Sequence, residues 1–143
     1  MGERAFTLIE LLIVGMILAL MALLALPNFT HWLFMTRMHS TAREIAADLQ
    51  TARIKAITQN TAFRVRFDPQ TETYQMEKRV AGQWKTVGDP KTLPAGVDLV
   101  QVTRQPIFQP IGTAPGGTTV TLHGAQGGIK KIKVSFAGRI KIE

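Results

Sequence analysis

The chain has 143 residues, enough for one modest domain in addition to an anchor segment. It contains no cysteine, which excludes a disulfide framework and a thiolate metal site. The formal net charge of +7 at pH 7 favours a polyanionic partner or an anionic membrane surface, although a charged face can equally serve solvation alone.

The first element is an apolar run over residues 6–26 that a single acid, Glu10, interrupts near its start. A helix of about 21 residues covers roughly 31 Å, which is enough to cross the apolar core of a bilayer. A carboxylate inside such a segment costs on the order of 3 kcal/mol, so Glu10 needs a cationic partner. If the chain were cut between Ala5 and Phe6, the new amine of Phe6 would lie one helical turn from Glu10, or beside the Glu10 of a neighbouring copy.

Three other interpretations of residues 6–26 compete with that of a membrane-spanning segment that is cut at its start and whose acid pairs with the new amine. A secretory signal peptide has a shorter apolar region and a positive start, whereas here Arg4 is offset by Glu3 and no small-residue exit site follows. An ordinary membrane anchor would leave the abrupt start after five residues unexplained. A buried core helix is disfavoured by the length of the run.

Residues 28–60 are predicted to continue the helix as an amphipathic segment. Phe29, Trp32 and Phe34 follow the apolar run at once, and aromatic residues at that place suit a membrane–water interface. Further along, apolar side chains recur every three or four residues and line one helical face: Met38, Ala42, Ile45, Leu49, Ala52 and Ala56. We therefore expect one long helix over residues 6–59 that stops at Asn60 and packs this stripe on a globular domain.

Residues 61–143 are predicted to form an antiparallel β domain, because the apolar period changes from 3.6 to 2. In residues 63–67 apolar side chains alternate with arginines, which is typical of a half-buried strand. Further strands are predicted at residues 73–80, 84–87, 97–102, 118–122, 129–136 and 139–142, with a short extended piece at 107–108. Residues 88–90 (Gly-Asp-Pro) are predicted to interrupt the strand pattern. The predicted fold class is α+β: a long N-terminal helix, membrane-spanning in its first half, packed on an antiparallel β-sheet domain.

The sequence offers no pattern that indicates an enzyme. His31, His39 and His123 are far apart and lack the spacing of metal ligands. Neither a nucleophile elbow nor a phosphate-binding loop occurs. We therefore predict no catalytic residue, no metal and no cofactor.

The N-terminal heptapeptide Ala5-Phe6-Thr7-Leu8-Ile9-Glu10-Leu11 resembles the processing site of the type IV pilin and pseudopilin superfamily. In that family a prepilin peptidase removes a short leader, here residues 1–5, and N-methylates the new first residue, here Phe6. The family has an acid at the fifth mature position and a proline at the twenty-second. Glu10 and Pro27 both lie in that register, whereas Ala5 stands where the family usually has Gly.

This resemblance implies how the chain would be used. Residues 6–27 would anchor the subunit in the bacterial inner membrane by a single pass, with the globular domain in the periplasm. An inner-membrane assembly platform would then extract it into a filament with other pilin or pseudopilin subunits. During docking, a Phe6 amine would neutralise Glu10, which offsets the cost of burying the carboxylate.

Motifs further along resemble one branch of the superfamily, the H-type pseudopilins of type II secretion and the related minor pilins of the FimT kind. These motifs are residues 46–50 with Ala52-Arg53, and residues 93–97, 108–112 and 135–139. The resemblance implies a minor subunit of a type II secretion pseudopilus or of a type IV pilus.

The C-terminal end concentrates positive charge that suggests an alternative function. Alternation places Lys131 and Lys133 on one face of a strand and turns Ile132, Val134 and Phe136 to the other. Paired with the last strand, this strand would present a basic patch able to neutralise phosphates without reading bases. The predicted patch consists of Lys130, Lys131, Lys133, Arg139 and Lys141.

DNA-uptake minor pilins of the FimT kind carry a Gly-Arg-x-Arg element near this end, and Gly138-Arg139-Ile140-Lys141 is similar to it, with Lys replacing the second Arg. The alternative function implied is a tip pilin that binds double-stranded DNA during uptake. A third interpretation is that the lysines only solvate an edge hairpin and block strand addition.

Overall fold

The computed structural model describes the backbone of residues 7–143 and the side chains of residues 7–23 and 32–143. The chain divides into two units, Met1–Leu33 and Phe34–Glu143, of which the first is described from residue 7 onward. The secondary structure of the described residues consists of one helix, α1 (Leu8–Thr58), and eight strands: β1 (Phe63–Asp68), β2 (Thr73–Val80), β3 (Gln83–Thr92), β4 (Val97–Val102), β5 (Ile107–Phe108), β6 (Thr118–Gly124), β7 (Ile129–Val134) and β8 (Ile140–Ile142).

The first unit contains the start of α1. The hydroxyl of Thr7 accepts a hydrogen bond from the backbone N–H of Glu10 at 3.3 Å, which satisfies a donor that the first helical turn leaves free. Within the described residues, no helix is both long enough and apolar enough to cross a membrane. The predicted span over residues 6–26 reaches beyond the described side chains at both ends. Ala5, Phe6 and the rest of the leader lie outside the described residues, as does the side chain of Pro27, whose backbone belongs to α1.

In the second unit, the predicted apolar stripe of α1 is confirmed. All six of its side chains, from Met38 to Ala56, are buried against both sheets in one common core. The predicted helix stop is also confirmed, because α1 ends at Thr58 and Asn60 adopts a φ of 46°. Asparagine tolerates this left-handed conformation better than most residues, so it can close a helix. The N–H of Thr61 then donates to the carbonyl of Ala56 at 3.2 Å.

The β domain consists of two four-stranded antiparallel sheets. The first has the order β3-β2-β1-β5 and the second the order β4-β6-β7-β8. Strands β1, β4, β6 and β7 turn alternate side chains inward, as the period of two predicted. The inward residues of both sheets and the helix stripe form the core: Phe63, Val65, Phe67 and Phe108 from the first sheet, and Val97, Leu99, Val120, Leu122, Ile132 and Val134 from the second.

The predicted interruption at residues 88–90 is wrong. Strand β3 continues through Gly88 and Pro90 to Thr92 and is ten residues long. It lies at the edge of its sheet, where a residue without an N–H costs no ladder hydrogen bond. A register shift between Tyr74 and Met76 of β2 absorbs the irregularity on the paired side.

Two aromatic residues lie where the sequence did not predict them. Phe34 is only 9% exposed, and its ring fills a space that two glycines leave open. A Cβ added at Gly96 would lie 2.8 Å from this ring, and one added at Gly124 would lie 2.6 Å from it. Phe34 is therefore a core residue of the second unit and not an interfacial aromatic. Phe136 is 67% exposed instead of inward, because β7 ends at Val134 and a turn follows.

Candidate functional site

Glu10 lies in the first turn of α1 and is exposed. It is the sole ionisable side chain of residues 7–23, because every other residue there is apolar or Thr7 or Gly15. Thr7 and Glu10 have the spacing of a capping box, and an acid in the first turn also interacts favourably with the helix dipole. The described part of the chain thus gives Glu10 a structural role at the helix start, in addition to the assembly role predicted for it.

The basic side chains at the C-terminal end meet on the outer face of the second sheet. Strands β7 and β8 pair so that Lys133 lies directly opposite Lys141. Lys131 exchanges both backbone hydrogen bonds with Glu143, at 2.9 and 2.8 Å. We call the exposed residues Lys131, Lys133, Arg139 and Lys141 the basic face. Lys130, which was predicted with them, lies on the opposite side of β7, the side of buried Ile132.

An open groove of about 460 Å³ borders the basic face. Its walls combine the cationic side chains of Lys133, Arg139 and Lys141 with the hydroxyl-bearing residues Thr119 and Ser135. Cations and hydroxyl donors around an open groove suit a phosphate or carboxylate ligand.

Arg104 places a further cation beside this groove, and the sequence did not predict it. Its Nη1 atom would lie 2.1 Å from a Cβ added at Gly116, so the guanidinium packs directly over a glycine that lines the groove. Residues 103–106 form a loop without periodic pattern, and Arg104 precedes the start of β7 by 25 residues. Only the pairing of β4 with β6 brings the end of β4 to this side of the sheet.

Glu143 reduces the positive charge of the basic face. Its carboxylate accepts hydrogen bonds from Lys133 at 2.6 Å and Lys141 at 3.3 Å. These bonds hold the pKa of Glu143 below its ordinary value, with the bond from Lys133 as the larger cause. A carboxylate between two lysines occupies the place that a phosphate oxygen of a polyanion would take.

The turn that carries Arg139 is fixed from the helix. Arg53 of α1 donates from Nε to the Gly112 carbonyl at 2.9 Å and from a terminal nitrogen to the Ala137 carbonyl at 3.4 Å. Gly138 adopts a φ of 74°, and a Cβ there would lie 2.1 Å from the Gly112 carbonyl oxygen. Only glycine fits this approach. Three motifs that are distant in the sequence, around residues 53, 112 and 138, are therefore one structural junction.

Two other polar clusters hold the domain together. On the first sheet, Arg64 forms an ion pair with buried Glu77, and its guanidinium lies 4.4 Å from the ring centroid of Trp84. The carboxylate of Glu77 is paired with a guanidinium, and that guanidinium is stacked on an aromatic ring. These contacts stabilise the fold, so the cluster needs no ligand to explain it.

The second cluster joins α1 to β2 and β3. Asp48 accepts hydrogen bonds from Tyr74 at 2.7 Å and from Lys91 at 2.8 Å, and Glu44 accepts another from Lys91 at 3.1 Å. Burial and the bond to Asp48 raise the pKa of Tyr74 well above its ordinary value of 10.0. The hydrogen bond to Asp48 likewise raises the pKa of Lys91. Among the residues that the structure describes, no group of three His, Asp or Glu side chains is placed to hold a metal ion.

Comparison with known proteins identifies the family of this chain. Residues 41–138 match the family model described as "Type II transport protein GspH". A search of curated proteins found no significant match.

Solved structures with the same fold include two minor filament proteins. The minor pseudopilin EpsH from the type 2 secretion system of Vibrio cholerae is 16% identical, with a TM-score of 0.66 over 75% of this chain and 96% of EpsH. The type IV minor pilin FimU of Pseudomonas aeruginosa strain PAO1 is 22% identical, with a TM-score of 0.63 over 76% of this chain and 89% of FimU. Because the family model covers more than half of its length, this chain belongs to the GspH family and is a type IV pilin-like protein of the H type.

Proposed function

We propose that this chain is a minor subunit of an envelope filament, either a type II secretion pseudopilus or a type IV pilus. Membership of the GspH family supports a filament subunit, and the two solved structures named above come from one system of each kind. The observation that carries the proposal is Glu10, a lone exposed carboxylate in the first turn of a helix whose other described side chains up to residue 23 carry no charge. A carboxylate so placed is most stable beside a cation that a neighbouring molecule supplies.

The proposed mechanism begins with insertion of residues 6–27 in the bacterial inner membrane by a single pass, with the globular domain in the periplasm. A prepilin peptidase cuts between Ala5 and Phe6 and methylates the new amine of Phe6. An inner-membrane assembly platform then moves the subunit into the filament, where apolar helices bundle. Glu10 pairs with the Phe6 amine of a neighbouring subunit, and Pro27 marks the end of the bundled segment.

The test separates the charge of Glu10 from its role in starting the helix. Glu10→Gln keeps a side chain that can serve a capping box, whereas Thr7→Ala removes the cap and keeps the charge. Full-length chains are expressed with the filament machine, and shed filaments are separated from membranes. We expect Glu10→Gln to remain in the membrane and to be lost from filaments, and Thr7→Ala to be incorporated.

Processing is tested on the same samples by intact mass. We expect loss of residues 1–5 and the addition of one methyl group when the peptidase is present, and an unprocessed chain when it is absent. Normal incorporation of Glu10→Gln, or an uncut chain in assembled filaments, would contradict the proposal.

A second function, binding of double-stranded DNA, is supported by the groove beside the basic face. Three cations of that face line one groove, and Arg104 packs against a glycine of its wall, a convergence that solvation alone does not require. The contact with Glu143 supplies a sharp test, because it competes with any polyanion for Lys133 and Lys141.

DNA binding is measured by gel shift with the full chain in mild detergent over a range of salt concentrations. Replacing Lys133, Arg139 and Lys141 by Ala is expected to lower the affinity at least tenfold and to reduce the salt slope by about one for each lost phosphate contact. Glu143→Gln is expected to raise the affinity. The control replaces Lys85, an exposed lysine of β3 in the other sheet, and is expected to change little. Equal affinity of the triple variant and the control would exclude this function.

A further inference from the structure

Most of the exposed large apolar residues of the second unit lie on three segments that contact one another. Six large hydrophobic residues of this unit are exposed: Ile54, Ile57, Val100, Ile111, Ile129 and Phe136. Four of them, Ile54, Ile57, Ile111 and Phe136, belong to the three segments that meet at the Arg53 junction. We call these four the apolar cluster. Their exposed fractions run from 48% at Ile57 to 80% at Ile111. Clustered exposure of this kind marks an interaction surface, whereas isolated apolar residues do not.

Backbone and side-chain contacts hold the three segments of the apolar cluster together. A Cβ at Gly112 would lie 2.9 Å from the Cδ1 atom of Ile57, so the loop that carries Ile111 lies against the last turns of α1. The N–H of Ala114 donates to the carbonyl of Phe136 at 2.9 Å, which joins the same loop to the turn after β7. Arg53 bonds to both segments. Because the junction is fixed from three sides, the cluster is a preformed surface and does not depend on a flexible loop.

The charged residues of the three segments that carry the apolar cluster are all basic, and Lys55, the one farthest from the junction contacts, also lines a cavity with Asp48 and Asp89. The three segments are residues 53–58, 109–114 and 135–139, and all of them are described in the structure. They contain Arg53, Lys55 and Arg139 but no Asp or Glu. An apolar centre with a basic rim is complementary to an apolar surface ringed by carboxylates. A nucleic acid would use the cations but would leave three aliphatic side chains without a suitable partner, because base stacking needs aromatic groups.

We propose that the apolar cluster is the docking surface for the globular domain of a different pilin-type subunit, one that presents an apolar patch rimmed by Asp and Glu. This inference rests on the proposed function as a filament subunit. A second copy of this chain is a poor match, because the rim cations of one copy would face those of the other. Contact made through this surface is independent of the contact made by the N-terminal helix, so the two can be tested separately.

The experiment places a photo-crosslinking amino acid at exposed positions of the full-length chain, in cells that express the complete filament machine. Ile111 and Phe136 probe the apolar cluster. Val100 and Ile129 are matched controls, since they are exposed by 59% and 58% but lie elsewhere on the unit. Leu12 probes helix contacts in the filament. Crosslinked products are identified by mass spectrometry, with nuclease treatment in parallel.

We expect Ile111 and Phe136 to form adducts with one other pilin-type subunit, and the two control positions to form at least tenfold less of that product. In a second variant, Arg139→Glu, the adduct from Phe136 is expected to fall about tenfold, whereas Lys85→Glu leaves it unchanged.

Adducts from Leu12 without adducts from Ile111 and Phe136 would overturn this inference and leave the filament assignment intact. If Leu12, Ile111 and Phe136 all fail to form adducts, both this inference and the filament assignment are overturned. Adducts that form only with nucleic acid or only with a second copy, or that form equally at Val100, would also overturn it.

Discussion

Among the glycines that the structure describes, Gly138 has the closest approach to a backbone atom of another segment. Alanine at this position would have to adopt a φ near 74°, and its Cβ would lie 2.1 Å from the Gly112 carbonyl oxygen and 2.9 Å from Nε of Arg53. Both neighbours are held in place, the first by the loop and the second by its hydrogen bonds. Gly138→Ala must therefore move the turn away from the helix.

The magnitude follows from two contributions. The left-handed conformation costs alanine about 1–2 kcal/mol relative to glycine. Separation of the turn from the loop loses a charge-assisted hydrogen bond from Arg53, which contributes about 1.5 kcal/mol or more. We expect the free energy of unfolding to fall by about 3 kcal/mol in total, which shifts a urea midpoint by about 1.5 M for a domain of this size.

A matched control isolates the steric part of this effect. Gly82 has a φ of 83°, close to that of Gly138, but a Cβ there meets nothing within 4 Å. Gly82→Ala should therefore cost only the conformational part, about 1–2 kcal/mol. Both variants are unfolded in urea as full-length chains in mild detergent, with Trp84 fluorescence followed in a Trp32→Phe background. If Gly138→Ala is no less stable than Gly82→Ala, the argument for a close-packed junction is refuted.

Two further predictions concern charged groups. Arg64→Ala should lower the free energy of unfolding by about 2–3 kcal/mol, because it leaves the buried carboxylate of Glu77 without its cationic partner. The control Arg66→Ala, on the same strand, should change the free energy of unfolding by less than about 0.5 kcal/mol. Equal urea midpoints for the two variants would contradict the role of this ion pair. The pKa of Glu143 lies below its ordinary value of 4.5. The contact of its carboxylate with Lys133 is therefore fully present above pH 4.5 and is lost as the pH falls through the lowered pKa. An NMR titration should place the midpoint below 4.5, and Lys133→Met should raise it toward 4.5; an unchanged midpoint in the variant would show that this lysine does not hold the carboxylate.

Local patterns in the sequence predicted the elements well where a single period decides the structure. The stripe from Met38 to Ala56 needed only the helical repeat, and the strands β1 and β4 needed only alternation between neighbouring residues. Asn60 was predictable as a helix stop because its conformational preference is its own. The assignment of Ala5, Phe6 and Pro27 to processing and assembly stays a prediction, as does the membrane span.

The errors arose where the position of a strand in its sheet decides the outcome. Whether Pro90 interrupts β3 depends on the edge position of that strand, which no local pattern encodes. The orientation of Phe136 depends on where β7 ends, and the pairing of β7 with β8 sets that end at Val134. Phe34 became a core residue because two glycines in the second sheet leave room for its ring.

The sequence by itself predicted three features: the apolar run over residues 6–26 with its single acid, the long helix with its apolar stripe, and the clustering of positive charge near the C-terminus. Each of them depends only on residues that lie within a few turns or a few strand positions of one another. The tertiary structure alone decided which cations share a groove, which apolar side chains stay exposed together, and that Arg53 joins segments 59 and 84 residues away. Such contacts follow from sheet order and strand pairing, and the free energy that selects them comes from a core assembled from the whole second unit at once.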